Sequence, residues 1–274
     1  MSSRPITADT TTDTAPFAFV PIDRRRSRTK PRHAGLSMVI DDGLPLAYIE
    51  SVLALAGAYI DLMKIKTGTA RLYPRAQLKA KLEVYERNGV RPFIGGQFHE
   101  YVFAMHGEQA LPQFYEEARA LGFRTIEISD NVVPLTDEQR RGQIRTAIAS
   151  GLEVFGEVGS KETLSRPELL LEQAEICFEA GASLVLVEAA ELVEQGRVRR
   201  QALDIVKRLP ADQIMIELPG PWISGVRACD IEDMKKIVLA EFGPDVNLAN
   251  IDVTTIVDTE AQRVGLGTAG PLKR

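Results

Sequence analysis

The chain is poor in cysteine, histidine and tryptophan, with two, three and one of these residues among 274. Its cysteines, Cys177 and Cys229, supply neither a disulfide framework nor the ligand spacing of a zinc site. The three histidines do not cluster in sequence with cysteine or aspartate. A small disulfide-stapled scaffold and a zinc centre are therefore excluded, and we expect a reduced, cytoplasmic protein.

Long apolar segments and an excess of basic residues are also missing. No run approaches the roughly 20 apolar residues that cross a membrane, and the N-terminus has no hydrophobic signal core. The net charge of −5 and the isoelectric point near 5.4 argue against a general nucleic-acid binder. We expect small molecules as partners, with no nucleic acid and no membrane.

Eight short apolar runs of strand character are present, each followed by a helix-like segment. They occupy residues 36–43, 59–65, 91–96, 125–130, 152–159, 183–188, 213–218 and 246–251. Most end on a carboxylate, lysine or glycine, although a strand buried on both faces carries charge only where that charge is used or paired. Parallel strands with polar groups at one end describe a (β/α)8 TIM barrel with its active site at the C-terminal rim.

The barrel is expected to be a single domain over residues 33–274, after an extension over residues 1–32. Residues 1 to about 14 are rich in Thr, Ser, Asp and Pro without periodicity, and we expect them to be disordered. A basic cluster follows, made of Arg24, Arg25, Arg26, Arg28, Lys30 and Arg32. It is interpreted either as an anion-binding arm over the active site or as a solvated linker.

Several segments resemble one known family in the same order along the chain. They are residues 35–45, 59–64, 68–69, 72–74, 95–96, 122–130, 157–159 and 242–251. Together they resemble the phosphosulfolactate synthases. The resemblance implies a (β/α)8 barrel that adds sulfite to phosphoenolpyruvate with magnesium, making phosphosulfolactate for coenzyme M. The same family includes plant heat-stress proteins whose role is not clearly catalytic.

Two departures from the family pattern concern charge at the rim. After the strand-six glutamate the family has a Gly-Arg-Glu-Ser-Gly type turn, whereas Glu188 is followed here by Ala189-Ala190-Glu191 and no arginine precedes Arg197. This change removes a bidentate anion clamp and leaves Glu191 as a negative charge nearby. A Gly-Trp pair in the second loop is replaced by Lys66-Thr67, which adds a cation. The anion pocket has therefore moved, or the nucleophile differs from sulfite.

Carboxylates at the ends of neighbouring strands predict a magnesium site. Adding a nucleophile to C3 of phosphoenolpyruvate gives an enediolate, whose extra negative charge needs a divalent cation or fixed cations. Glu127, Glu157 and Glu188 end strands four, five and six and are the predicted ligands, since Mg²⁺ prefers oxygen donors. Asp130, Asp41 and Glu217 are possible replacements or outer members. The alternative is a layer of Glu–Lys pairs that only holds the barrel together.

Three residues are the predicted catalytic groups. Lys64 ends the second strand and is interpreted as a proton donor or charge stabiliser, with a structural salt bridge or a Schiff base as alternatives. Lys161 follows the fifth strand and is expected to bind phosphate or carboxylate, or to be a solvated surface lysine. Asp41 ends the first strand and is the predicted catalytic carboxylate.

Phosphate binding needs backbone N–H groups beside small residues, or neutral side-chain donors. Gly68, Thr69, Gly95 and Gly96 offer the first, although turns also need glycine. Asn247 and Asn250 at the eighth strand offer the second, where barrel phosphates often bind. Trp222, after the seventh strand, is expected to form a wall or lid of the pocket, or to pack on the eighth helix.

The leading hypothesis is a Mg²⁺-dependent lyase that adds sulfite or a related nucleophile to phosphoenolpyruvate. One alternative keeps the phosphoenolpyruvate site and changes the nucleophile. Another is a non-catalytic, stress-related member of the family, which the charged barrel lumen argues against. We also expect a homo-oligomer.

Overall fold

The computed structural model describes residues 16–159, 164–194 and 197–267, and it contains a closed barrel of eight parallel strands. The first six are β1 Ser37–Asp41, β2 Leu62–Ile65, β3 Arg91–Ile94, β4 Thr125–Ile128, β5 Glu153–Val158 and β6 Leu184–Glu188. A short antiparallel hairpin follows, β7 Val193–Glu194 with β8 Arg197–Val198, and then the barrel strands β9 Ile214–Glu217 and β10 Leu248–Ile251. Around the barrel the order is β1-β10-β9-β6-β5-β4-β3-β2, so the predicted TIM barrel is confirmed.

The helices alternate with the strands and form the outer layer. They are α1 Leu46–Ala56, α2 Arg75–Arg87, α3 Gly96–His106, α4 Leu111–Leu121, α5 Asp137–Ala149, α6 Pro167–Ala180, α7 Arg200–Val206, α8 Ala228–Phe242 and α9 Ile256–Arg263. Helix α5 begins with a capping box, in which the Gln139 N–H donates to Thr136 Oγ1 at 3.2 Å. Helices α4 and α6 end at Gly122 and Gly181, both in the left-handed conformation that glycine adopts without a Cβ clash. No helix within the described residues is both long and apolar enough to span a membrane.

Successive residues of each strand alternate between the lumen and the helix layer. The lower lumen is filled by an apolar cluster that includes Met38, Phe93, Phe155 and Met215. The Phe93 and Phe155 rings meet edge to face, with their centroids 5.2 Å apart. This plug closes the barrel from below, so polar lumen residues near the strand ends face a pocket at the rim.

The N-terminal extension packs against the opposite end of the barrel. Arg26 pairs with Glu260 of α9 at 2.9 Å and donates to the Gly35 carbonyl, and Arg32 pairs with Asp61 at 2.9 Å. Gly35 and Asp61 precede β1 and β2, which places both arginines beneath the barrel floor. The arm over the active site and the solvated linker are therefore both wrong for these two buried residues. The expected disorder of residues 1 to about 14 concerns residues outside the described ones.

His99 on α3 is 1% exposed and stacks on Tyr115 of α4, whose hydroxyl lies 2.9 Å from Nε2. Burial lowers the pKa of His99 to about 3, because the imidazolium form loses its hydration. The folded state thus binds a proton less readily than the unfolded chain, whose histidine pKa is about 6.5. The contribution of neutral His99 to the free energy of unfolding is therefore fully present above pH 6.5 and is lost as the pH falls toward 3.

We expect the free energy of unfolding to drop by about 1.2 kcal/mol between pH 7 and pH 5.5 through His99 alone. Urea unfolding at several pH values measures this drop. His99→Gln should flatten the pH dependence, whereas His106→Gln, at an exposed position of the same helix, should not. Equal slopes for both variants would show that His99 is not the responsible group.

Candidate active site

The C-terminal ends of the barrel strands surround a pocket, called the rim pocket below. Its charged lining comes from Lys64, Lys66, Glu127, Glu157 and Glu217. Four of these five side chains are inward-facing residues near the ends of β2, β4, β5 and β9, and Lys66 belongs to the loop after β2. Charged groups from distant parts of the sequence therefore converge at the end of the barrel where TIM-barrel active sites lie.

Three carboxylates of this region form a cluster, called the carboxylate triad below: Glu157, Glu188 and Glu217. One oxygen from each lies within 4.8 Å of the others, and the three residues are at most 2% exposed. They sit on β5, β6 and β9, which are neighbours in the barrel. The geometry suits a divalent cation with oxygen ligands. Within the described residues, Glu217 Oε2 has no hydrogen-bond partner, as expected of an atom placed for a ligand.

Glu127 was predicted as the third ligand but lies outside this cluster. Its Oε1 accepts the Gly96 N–H at 2.8 Å, and its Oε2 pairs with Lys64 Nζ at 2.8 Å. Lys64 Nζ also lies 2.9 Å from Glu217 Oε1, so it joins Glu127 to the triad. Glu217, named from the sequence as a possible replacement, takes the third position. Lys64 thus forms Glu–Lys pairs of the kind that the structural alternative expects in the lumen.

The N–H groups of Gly95 and Gly96 are not free to bind phosphate, in contrast to the prediction. The Gly95 and Gly96 N–H groups donate to Ile65 O and Glu127 Oε1. A Cβ on Gly95 would lie 2.9 Å from Lys64 Cε, and one on Gly96 would lie 2.9 Å from Glu127 Oε1. These glycines allow the close approach of Lys64 and Glu127 and do not bind phosphate through their N–H groups.

In the second loop, Thr69 donates its N–H and its hydroxyl to the Lys66 carbonyl, at 3.2 and 2.7 Å. Thr69 therefore closes the turn. Gly68 begins the short helical turn that follows, and it packs near the Phe98 ring. The residues of this loop that line the pocket are Lys66 and Thr67, which directly precede the predicted pair Gly68–Thr69.

The two asparagines lie at opposite ends of β10. Asn247 precedes the strand at the barrel floor, where Oδ1 accepts the Leu36 N–H at 2.8 Å and Nδ2 donates to the Ile214 carbonyl. Its predicted phosphate role is wrong, because its donors are used to tie strand starts together. Asn250 lines the rim pocket, with Nδ2 donating to Leu218 O and with Oδ1 unpartnered among the described residues.

Asp41 ends β1 but faces away from the lumen. Its carboxylate pairs with Lys81 Nζ at 2.7 Å and accepts the Tyr85 hydroxyl of α2 at 2.8 Å. It also accepts the N–H groups of Gly43 and Leu44, at 3.0 and 2.8 Å. The structure corrects its predicted catalytic role, since these contacts fix the first loop from outside the pocket. The other predicted catalytic lysine, Lys161, lies outside the described residues.

Glu191, in the loop after β6, is not among the residues that line the rim pocket. Its buried carboxylate accepts the Ser165 N–H at 2.9 Å and pairs with Arg199 at 3.1 Å. Glu191 was expected to add negative charge near the substrate. Its salt bridge to Arg199 shows instead that this charge is offset within the loop.

Residues around the triad that were not among the predicted site residues hold it in place. Asn131 Nδ2 donates to Glu157 Oε1, and Arg140 Nη1 donates to the Glu157 carbonyl at 3.1 Å. Glu100 accepts the N–H groups of Val132 and Val133, at 2.7 and 2.9 Å, and so pins the loop that carries Asn131. None of these residues ends a strand, which was the signal used to find site residues.

A family model described as (2R)-phospho-3-sulfolactate synthase (ComA) matches residues 25–268. The chain belongs to this family. A phosphosulfolactate synthase from Methanothermobacter thermautotrophicus is 32% identical over 249 residues, which are 86% of this chain and 91% of the relative. Protein HEAT-STRESS-ASSOCIATED 32 from Arabidopsis thaliana is 24% identical and covers 78% of this chain and 79% of its own. The YdjI aldolase from Escherichia coli K12 has a TM-score of 0.54 at 11% identity, covering 84% of this chain and 82% of its own, and shares the fold.

The family match confirms the resemblance seen in the sequence. The charge of the rim pocket indicates which ligands it can hold. Counting the described residues of the pocket and triad, four carboxylates face two lysines. Glu157, Glu188 and Glu217 each offer one carboxylate oxygen within 4.8 Å of the other two, a donor set that fits a divalent cation.

Proposed function

We propose that this protein is a lyase that adds sulfite to C3 of phosphoenolpyruvate and that Mg²⁺ supports the reaction. The buried carboxylate triad at the barrel rim, joined to Lys64, is the observation that carries this proposal. Family membership supports the reaction class, and the triad supports a cation that would offset the charge of the substrate.

The triad would hold Mg²⁺ through Glu157, Glu188 and Glu217. Bound there, the ion would offset the negative charge that develops on the phosphoenolpyruvate carboxylate. The chain's own residues keep the ligands fixed. Asn131 orients Glu157, and the register of β6 with β9 sets Glu188 directly beside Glu217.

Lys64 is proposed to supply the proton that the product gains at C2. Its ammonium lies in the pocket wall between Glu127 and Glu217, at 2.8 and 2.9 Å. Nζ is held by both carboxylates, whereas a Schiff base needs a nitrogen free to attack a carbonyl, so the contacts argue against that alternative. Glu127 and Glu217 also fix Lys64 Nζ in position, which a proton donor needs.

Two observations now favour sulfite over a nucleophile of lower charge. Glu191 is paired with Arg199 and lies outside the pocket lining. Lys66 lines the pocket and can replace part of the positive charge that the missing arginine would supply. Because the chain is also similar to a heat-stress protein, a non-catalytic role is the second candidate function. A cytoplasmic location and homo-oligomerisation stay predictions.

A panel of nucleophiles tests the proposed reaction. The protein is incubated with phosphoenolpyruvate, Mg²⁺ and either sulfite, phosphite, thiosulfate or no addition, and the phosphorus spectrum is followed by NMR. We expect consumption of phosphoenolpyruvate to be fastest with sulfite and to stop with a chelator. A faster reaction with another nucleophile would select the alternative, and no reaction with any of them would favour the non-catalytic role.

A further inference from the structure

The last strand of the barrel is irregular at Asn250. Ser37 of β1 pairs with Leu248 and Val39 pairs with Ile251, so β10 advances three residues where β1 advances two. Asn250 lies in this extra step and has a φ of 59°, a left-handed conformation that asparagine adopts more readily than most residues. A bulge of this kind redirects a side chain and is frequent beside active sites. The irregular backbone thus places Asn250 in the lining of the rim pocket.

The contacts of Asn250 fix which atom of its amide is available to a ligand. Nδ2 donates to the Leu218 carbonyl at 3.1 Å, and a carbonyl oxygen can only accept. The amide nitrogen therefore faces Leu218, and Oδ1 lies on the other side of the amide. This oxygen is buried and has no hydrogen-bond partner among the described residues, on a side chain that is 6% exposed. A buried acceptor without a donor is costly, which points to a ligand that satisfies it.

A second acceptor without a donor lies beside Asn250. Oε2 of Glu217 is also buried, and in the part of the chain that the structure describes it has no hydrogen-bond partner. Glu217 is in register with Ala249, the residue before Asn250, and it directly precedes Leu218, which anchors the amide. Two acceptors that lack a donor are therefore placed at the adjoining ends of β9 and β10, and one of them belongs to the carboxylate triad.

The chemistry of the proposed reaction decides which ligand these acceptors attract. Deprotonated phosphoenolpyruvate and sulfite offer only acceptor oxygens, so neither gains a hydrogen bond from Oδ1 of Asn250. A divalent cation such as Mg²⁺ prefers oxygen ligands, and carboxylates and asparagine carbonyls both serve hard cations of this kind. A neutral oxygen also adds a ligand without adding negative charge to a site that already has three carboxylates. The amide oxygen therefore suits the cation better than either anion.

We propose that Asn250 contributes Oδ1 to the cation site of the rim pocket, as a neutral oxygen donor beside the carboxylate triad. The inference deepens the proposed function and rests on it for the presence of a divalent cation. It gives Asn250 a role different from the phosphate contact predicted from the sequence, because the amide N–H donates to Leu218 instead. The bulge in β10 then serves to bring an acceptor to the pocket.

Titration of Mn²⁺ into the full-length protein, without phosphoenolpyruvate or sulfite, tests this role independently of turnover. Asn250→Gly removes Oδ1 and adopts the left-handed backbone without strain. We expect calorimetry to show a loss of Mn²⁺ affinity of about ten- to a hundredfold, as is typical when a group that supports a metal site is removed. Asn88→Gly is the matched control, because Asn88 Nδ2 also donates to a backbone carbonyl, that of Val84, but at the end of α2 in the outer layer. Its Mn²⁺ affinity should equal that of the wild type.

Asn250→Asp separates an oxygen donor from a purely structural residue. Aspartate keeps the size of the side chain and tolerates the left-handed conformation, but it lacks the amide N–H that donates to Leu218. If Oδ1 serves the cation, this variant should bind Mn²⁺ at least as tightly as the wild type. A loss of affinity as large as in Asn250→Gly would show that Asn250 only ties β10 to β9, and the inference would be overturned. Circular dichroism checks folding, and Asn250→Asp decides alone if Asn250→Gly does not fold.

Unchanged Mn²⁺ affinity in Asn250→Gly would also overturn the inference, as would the absence of Mn²⁺ binding to the wild type. The proposed function fails separately, in the nucleophile panel. Mn²⁺ binding that depends on Asn250 in a protein that does not add sulfite would keep the cation ligand and reject the reaction. Mg²⁺-dependent sulfite addition by a protein whose Mn²⁺ affinity does not depend on Asn250 would keep the reaction and reject the ligand.

Discussion

Glu157→Gln and Glu217→Gln are each expected to reduce Mg²⁺-dependent turnover by about a thousandfold or more, with the barrel still folded. Glu157 and Glu217 each give one oxygen to the carboxylate triad, and glutamine keeps the shape of the side chain without its charge. A divalent cation contributes several kcal/mol to stabilising developing charge, and about 4 kcal/mol corresponds to a thousandfold in rate. The measurement is the initial rate of phosphoenolpyruvate consumption with sulfite against Mg²⁺ concentration.

Glu127→Gln is the matched control, because Glu127 is an equally buried pocket carboxylate outside the triad. Cation binding, followed by calorimetry with Mn²⁺ in place of Mg²⁺, should be lost in Glu157→Gln and Glu217→Gln and kept in Glu127→Gln. Circular dichroism checks that all three variants fold. If Glu127→Gln loses the cation and Glu217→Gln keeps it, the original assignment of Glu127 is right and the triad is wrong.

The fold and most of the rim carboxylates followed from the sequence because strand ends are marked by charge. A charge at the end of an apolar run is costly unless it faces the lumen and is used there, and Glu157, Glu188 and Glu217 all obey this rule. Which of the four rim carboxylates meet was not predictable. The strands of Glu127 and Glu217 lie on either side of the β5–β6 pair. Glu127 does not join the triad because it binds the Gly96 N–H and Lys64 instead.

The failures have a different physical cause. When a strand is buried on both faces, the residues of both faces are apolar. The sequence then does not show which residues face the lumen. Asp41 was placed in the pocket for this reason, although Met38 and Ile40 have the inward positions of β1. Asn247 failed because β10 begins at Leu248, one residue later, which puts that asparagine on the floor. Because this strand has only four residues, a small error in its predicted bounds moves a polar residue from the rim of the barrel to its floor.

Replacing Lys64 with methionine should be the most damaging single change to stability in the pocket. Lys64 Nζ offsets Glu127 and Glu217, which are 1% and 0% exposed, and methionine fills a similar volume without a charge. Removing one partner of a buried salt bridge leaves uncompensated charge and costs about 3–5 kcal/mol. Urea unfolding at neutral pH measures the loss, and sulfite addition should be undetectable because the proposed proton donor is gone.

The double variant Lys64→Met/Glu127→Gln separates charge balance from chemistry. Neutralising Glu127 removes one of the two unpaired carboxylates, so part of the lost free energy of unfolding should return, while turnover should not. Interaction between the two substitutions is expected because the side chains are in direct contact. A double variant that regains activity along with stability would show that Lys64 serves only the structure. The proton would then have to come from another group at the rim.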